Sequence, residues 1–522
     1  MTKKTPATPA RPTSSPSDKV HIRQLPTGVR GLDEILGGGL PEFSFNIIAG
    51  TPGCGKTTLA HQIMFANATP EKPALYFTVL GEPALKMLRY QQQFSFFDTD
   101  KLNTAVRFIN LSDAVLENDL GGILDTIIEE VQASSPSIVV VDSFRTVVRK
   151  SAAAGETELQ AFVQRLALFL TSWQATTFLI GEYSEQEMRD NPVFTVADGL
   201  LCLSQNVERN SVVRKLQIVK LRGQEHVPGL HTIRISNDGL QAFSRMHGLT
   251  GKKQPPDTQR RRLSLGIAEL DAMLGGGVLE GDSVLIAGPS GTGKSAIATQ
   301  FLDAGFRQGE PGIAAIFEER PEGYAARAQS FGLDFKKPQE EGMLELLYLR
   351  PLDLSVDEVM REILDTVERL QAKRLVIDSL VGFEMALAPG FRVDFRESLY
   401  RMIATLTGAG VTILTTVELE DTFTAFEFSH YAISFLTDDI IRLRYVELEG
   451  QLRKVMVVVK MRGSEHSKAI REYVITKSGV VVAAHETNFS RLTTGLPERI
   501  DQPATAARAL KAHASRPDKR GR

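Results

Sequence analysis

"GVRGLDEILGGGLPEFSFNIIAGTPGCGKTTLAHQ", residues 28–62, aligns without a gap on "GIAELDAMLGGGVLEGDSVLIAGPSGTGKSAIATQ", residues 266–300. Asp33 falls on Asp271, Gly37 on Gly275 and Lys56 on Lys294, at a constant offset of 238. Two more pairs of segments extend the match: "IVVVDS" (138–143) with "RLVIDS" (374–379), and "VKLRGQEH" (219–226) with "VKMRGSEH" (459–466). A repeat this long is one whole domain duplicated, not a short-period solenoid.

Within each copy, short apolar runs alternate with segments whose apolar residues recur every three to four positions. "FNIIAG", "ALYFTV", "SIVVVDS" and "TTFLIGE" read as buried strands, and "SVLIAG", "IAAIFEE", "RLVIDS" and "VTILTTVE" as their counterparts. "GGILDTIIEEVQAS" and "VDEVMREILDTVERLQA" read as the helices between strands. This alternation predicts an α/β fold in which each copy is a mostly parallel sheet with helices on both faces. Composition sets the boundaries. Residues 1–20 form a disordered Thr/Pro/Ser/Lys tail, 21–247 the first domain, 248–262 a polar linker, 263–492 the second domain and 493–522 a flexible tail.

The chain has 522 residues, 42 % hydrophobic and 24 % charged, enough for several separate cores. No apolar stretch is long enough to span a bilayer, and the N-terminus lacks the apolar segment of a secretory signal. Two cysteines, Cys54 and Cys202, argue for a reducing compartment and a cytoplasmic protein. A net charge of −3 and no evident basic, aromatic-bearing groove argue against nucleic acid as a partner. Basic clusters at 251–262 and at the C-terminus read as solvated linker and tail.

"GTPGCGKT" (50–57) and "GPSGTGKS" (288–295) both satisfy G-x-x-x-x-G-K-[ST]. Such a loop turns successive backbone N–H groups onto phosphate oxygens and opens a helix whose N-terminus favours anions. The pattern therefore assigns ATP to Gly50, Thr51, Pro52, Gly53, Cys54, Gly55, Lys56, Thr57 and Thr58. In the second copy it assigns Gly288, Pro289, Ser290, Gly291, Thr292, Gly293, Lys294 and Ser295. Thr57 and Ser295 are candidate magnesium ligands, together with Asp142 and Asp378, which each end an apolar strand about 85 residues past their loop.

"FEERP" (317–321) ends its strand on two carboxylates, Glu318 and Glu319. A water or hydroxyl attacking a γ-phosphate needs positioning and a proton acceptor, and these glutamates are the candidate catalytic pair. If the strand runs through them, one side chain faces the site and the other faces away. The first copy has Leu80 and Gly81 at the aligned positions, with Glu82 one residue late. This asymmetry predicts that the first domain binds ATP mainly for assembly, while the second does most of the turnover.

Together "GLDEILGGGLP", the two loops, "FEERP", "VVVDS", "KLRG…H", "KMRG…H" and "SHYAISFLTDDIIRLRYVE" (429–447) resemble the KaiC family over roughly residues 20–492. That family comprises double-domain RecA-like P-loop ATPases and autokinases of the cyanobacterial clock and their bacterial relatives. The resemblance implies a homohexamer of two stacked rings with ATP between neighbouring subunits. It implies that Lys220, Arg222 and His226 reach the neighbour's first-domain ATP, and Lys460 and Arg462 its second-domain ATP. Family members phosphorylate adjacent Ser and Thr residues of the second domain, and counting back from "YVE" these fall on Ser434 and Phe435. Ser434 is thus the implied phosphorylation site, with Glu318 as base. Phe435 has no hydroxyl, so the family's two-site cycle does not carry over, and Ser429 falls where a third Thr lies. The C-terminal tail is where a regulatory protein would dock, although 501–522 carries no familiar binding signal.

Three readings follow: a signalling ATPase and autokinase, a scaffold assembled by ATP with negligible turnover, or a DNA-processing ATPase on the same sheet. The first is favoured by the glutamate pair, and the third is opposed by the charge.

Overall fold

A computed structural model of the chain describes residues 22–78, 84–111, 120–151, 156–183, 187, 193–208, 211–245, 260–349, 355–387, 392, 395–419, 436–448, 450–484, 489–490 and 498–499. Ser434, Phe435, Ser429, Leu80, Gly81, Glu82, most of the expected linker, the N-terminal tail and most of the C-terminal tail lie outside these residues. The chain divides into two compact units, Met1–Asn206 with Arg214–Arg245, and Met246–Arg522 with Val207–Val213.

The first unit carries a nine-stranded sheet: β1 (Phe45–Gly50), β2 (Ala74–Thr78), β3 (Val106–Asn110), β4 (Ile138–Asp142), β5 (Thr176–Gly181), β6 (Gly199–Glu208), β7 (Ser211–Leu221), β8 (Leu230–Ser236) and β9 (Gly239–Phe243). Its order is β9-β8-β7-β6-β1-β5-β4-β2-β3. Strands β1 to β6 pair in parallel, whereas β8 pairs antiparallel with both β7 and β9.

The second unit repeats this sheet strand for strand. Its members are β10 (Ser283–Gly288), β11 (Gly312–Ile316), β12 (Leu344–Tyr348), β13 (Arg374–Asp378), β14 (Thr412–Glu418), β15 (Asp439–Leu448), β16 (Gln451–Met461), β17 (Arg471–Thr476) and β18 (Gly479–Val482). The order is again the same from the other end, β12-β11-β13-β14-β10-β15-β16-β17-β18. Each domain is thus a mostly parallel α/β sheet of RecA-like type. The antiparallel extension was not marked by the sequence runs, which singled out only the strands buried on both faces.

Burial on both faces follows from side-chain alternation. On β1, Phe45, Ile47 and Ala49 enter one core and Ile48 the other. Helices cover those faces with matching periodicity. In Val356–Leu370, the apolar residues Val356, Val359, Met360, Ile363, Leu364 and Val367 are all buried. Its start is fixed by a capping box, in which the Ser355 hydroxyl accepts from the Glu358 N–H and the Glu358 carboxylate accepts from the Ser355 N–H. Each such buried aliphatic side chain contributes about 1.5–3 kcal/mol. No helix among the described residues is long and apolar enough to cross a membrane.

One expectation shifts by two residues. Strand β11 ends at Ile316, so Glu318 and Glu319 lie in a bend and not on the strand. Pro321 at the first turn of the helix Pro321–Ser330 holds Arg320 extended, and the chain must turn before it. The two carboxylates therefore diverge because of the bend, not because of strand pleating.

Candidate functional site

Both phosphate loops leave the sheet at the C-terminal end of a central strand, Gly50 of β1 and Gly288 of β10. The loops close on Gly55 and Gly293, whose φ values of 103° and 98° are left-handed and open only to glycine at low cost. A Cβ at either would lie 2.6 Å from an isoleucine methyl, Ile235 or Ile475. Helices then begin at Lys56 and Lys294, and neither N-terminus is capped by a side chain. Their first N–H groups are left to an anion. Thr57 and Thr58 follow Lys56 in one helix, and Ser295 follows Lys294 in the other.

A cavity of about 720 Å³ opens over the first loop. Gly53, Gly55, Lys56, Thr57, Thr58 and Asp142 line it, which brings together residues named from separate parts of the sequence. The Lys56 ammonium donates to the Thr51 carbonyl at 2.8 Å. The Thr57 hydroxyl donates to Asp142 Oδ2 at 2.8 Å, and the Tyr76 hydroxyl donates to the same oxygen at 2.6 Å. Burial pushes the Asp142 carboxyl up, against the pull of those hydrogen bonds and of Lys56. An alcohol and a carboxylate side by side form an all-oxygen donor set, which suits magnesium.

The second site is assembled differently. Lys294 donates to the carbonyls of Gly288 and Pro289 at 2.9 and 2.8 Å, and burial lowers its pKa while Glu418, Asp378 and Glu318 oppose the shift. Asp378 accepts from Thr416 at 2.6 Å through Oδ1, and its buried Oδ2 has no hydrogen-bond partner. That orphaned oxygen, on a carboxylate at the strand end beside the loop, also fits a magnesium site. Glu318 accepts from the Ser379 hydroxyl at 2.6 Å and lies over Gly382, where any Cβ would come within 2.7 Å of its Oε1. Glu319 pairs with Arg327 at 3.0 Å, and Arg327 reaches Asp378 at 3.6 Å. Burial pushes the Glu319 carboxyl up, with Arg327 opposing and Asp378 and Glu318 reinforcing.

The cations of the two "K-x-R-G" segments end β7 and β16 and make matching contacts in both halves. Lys220 donates to the Thr195 carbonyl at 3.2 Å and Arg222 pairs with Asp198 at 3.3 Å. Lys460 donates to the Thr437 carbonyl and Arg462 pairs with Asp438 at 3.3 Å. Lys220, Arg222 and the half-buried His226 are not among the residues lining the first cavity.

Sequence reasoning missed Tyr76, Arg145, Thr146 and Glu182 in the first site, all of which line the cavity. It also missed Arg327, Ser379, Thr416 and Glu418 in the second. Glu182 and Glu418 did leave a signal, because each follows the apolar run of β5 or completes that of β14 in the same repeat position. The others come into place only through the fold.

A family model described as "ATPase: KaiC" matches residues 25–246 and 263–487. Among curated relatives, the circadian clock oscillator protein KaiC of Picosynechococcus sp. is 29 % identical over 515 residues, covering 96 % of this chain and 98 % of the relative. That of Rippkaea orientalis is 30 % identical over 490 residues, 92 % of each chain. Circadian clock oscillator protein KaiC 1 of Synechocystis sp. is 29 % identical over 491 residues, again 92 % of each. Two phosphate loops on two copies of one sheet, each copy matched by the same family model, place this chain in the KaiC ATPase family.

Proposed function

We propose that the chain is a homohexameric ATPase that takes ATP with magnesium in both domains and whose second domain also phosphorylates its own Ser434. The observation that carries this reading is Glu318. It sits in the second site only, held by Ser379 and packed on Gly382 beside Asp378 and the β10 loop. In hydrolysis Glu318 takes the proton of the attacking water as its oxygen bonds to the γ-phosphorus. The bond from that phosphorus to the β–γ bridging oxygen breaks, and ADP leaves. In the kinase reaction the Ser434 hydroxyl of an adjacent subunit replaces water, with the same proton acceptor. Thr57 with Asp142, and Ser295 with Asp378, would hold magnesium, which when bound neutralises charge on the β- and γ-phosphates. Lys56 and Lys294 bind those phosphates.

The first domain keeps the loop and Asp142 but has Leu80 and Gly81 where the second has glutamates, so it holds ATP chiefly for ring assembly. Lys220, Arg222, His226, Lys460 and Arg462 act on the ATP of a neighbouring subunit, where cations from across an interface couple assembly to nucleotide. The setting is cytoplasmic signalling or clock-like regulation, the latter in keeping with relatives that are circadian clock oscillator proteins, with a regulatory protein at the C-terminal tail.

Incubation with γ-labelled ATP and magnesium tests the reading. Label retained on the chain and lost in Ser434→Ala, together with released phosphate, is the expected result. Released phosphate without retained label sinks the kinase, and neither product leaves only an ATP-assembled scaffold.

A further inference from the structure

The two halves hold the aspartate of their phosphate sites from opposite sides. In the first, the donor is Tyr76 on β2, whose hydroxyl reaches Asp142 Oδ2 at 2.6 Å, while the residue facing Asp142 on β5 is the apolar Ile180. In the second, the donor is Thr416 on β14, which reaches Asp378 Oδ1 at 2.6 Å and follows Thr415, the register partner of Ile377. The strand position matching Tyr76 is there Ala314: Tyr76 faces Val140 and Ala314 faces Val376 in the same register. From the strands flanking the aspartate, each half has one donor and lacks the other's.

We propose that Tyr76 is a positioning residue of the first nucleotide site, holding the Asp142 carboxylate for the magnesium of bound ATP as Thr416 holds Asp378 in the second. This rests on the reading of the first half as an ATP–magnesium site. The phenol ring is fully buried and cannot swing, because His61 lies 4.6 Å from it and Phe108 5.2 Å, centroid to centroid. Yet Tyr76 also lines the cavity above the loop, together with Thr57 and Asp142. Tyr76 and Thr57 both donate to one oxygen of Asp142, which fixes the rotation of that carboxylate. A phenylalanine at this position would fill the same space and leave only Thr57. A tyrosine adds nothing to the apolar packing that phenylalanine would not, and its hydroxyl is engaged by Asp142 and Thr57.

The test uses the full chain with the second loop silenced by Lys294→Ala, so that a fluorescent ATP analogue reports the first site. Binding is titrated in magnesium and in EDTA. Tyr76→Phe is expected to weaken binding about tenfold in magnesium, the scale of a hydrogen bond to a charged group, and to leave the EDTA affinity within about twofold. Adding Ile180→Thr, which supplies a donor from β5 as Thr416 does from β14, is expected to recover most of the loss. An equal loss with and without magnesium would assign Tyr76 to packing alone, and no loss in magnesium would remove it from the site; either overturns the proposal. If the Lys294→Ala parent itself binds no analogue, the reading of the first half as an ATP site fails instead, and the two failures are distinguishable.

Discussion

The same sheet, built twice, carries two differently equipped phosphate sites. In the second half Gly382 leaves the space that Glu318 occupies; in the first half Thr146 stands at the matching position, and Arg145 stands where the second has Val381. Arg145 turns to the Glu182 carbonyl and to Glu187, which it meets at 2.7 Å, and with Thr146 it lines the first cavity. The change from two glutamates to Leu80 and Gly81 in the sequence is thus accompanied by a change in the helix that would receive them. A site that had only decayed would have lost its loop or its aspartate as easily, and both are kept. On the proposed reading, phosphate binding is retained in both halves and phosphate transfer is concentrated in the second.

The largest effect that can break this comparison is the removal of both carboxylates. Glu318→Gln with Glu319→Gln is expected to lower steady-state ATPase activity of the whole chain about 10²–10⁴-fold, the contribution of a positioned general base, or roughly 3–5 kcal/mol of barrier. Phosphate release per chain is the measurement. Substantial residual hydrolysis would come from the first domain and would mean that the two halves share the work.

Acid separates the halves next. Burial lowers the His61 pKa to about 4, only partly offset by the Gln91 amide, while the matching residue in the second half is Thr299. An imidazole with a folded value below its unfolded value of about 6.5 binds protons first in the unfolded chain. Stability of the first half is therefore lost as pH falls from about 6.5 to about 4, by about 3 kcal/mol at most. The second half contains the opposite case. Burial, with repulsion from Asp282 and Asp438, raises the Asp439 carboxyl to about 8, and Arg262 opposes the shift. The folded state there holds the proton more tightly, so its contribution grows as pH falls below about 8. Hydrogen exchange at pH 7 and pH 5 should show core peptides of the first half losing protection while those of the second hold or gain. His61→Thr should flatten the first response. Parallel loss in both halves, or an unchanged slope in the variant, would contradict the assignment.

What could be read from the sequence was whatever lies within one run of residues. The repeat, the loops, the strands ending in Asp142 and Asp378 and the glutamate pair are all local patterns, and all recur in the fold. Tyr76 and Asp142 are 66 positions apart and Glu318 and Ser379 61, so their hydrogen bonds exist only because parallel pairing brings strand ends together. The bend after Ile316 escaped because an apolar run followed by glutamates gives no hint that pairing stops before Phe317. Pro321 gave that hint, since it fixes the helix start and demands a turn ahead of it.

The smallest expected effect bears on the glutamate pair itself. Glu318 is held by a neutral hydroxyl, whereas Glu319 is ion-paired with Arg327, which lies over the Tyr324 ring and also approaches Asp378. Glu319 would have to leave Arg327 to meet an incoming water, whereas Glu318 gives up only an alcohol. Glu318→Gln alone should then account for nearly all the loss of the double variant. Glu319→Gln and Arg327→Met should each cost about tenfold or less, because the pair is partly exposed and its net worth is about 1 kcal/mol. If Arg327 acts through Glu319, the two changes together should cost no more than either one, a coupling that a double-mutant cycle on kcat and KM measures directly. Additive losses would mean that Arg327 serves Asp378 independently, and a Glu319→Gln loss as large as that of Glu318→Gln would move the proton acceptor to the second carboxylate.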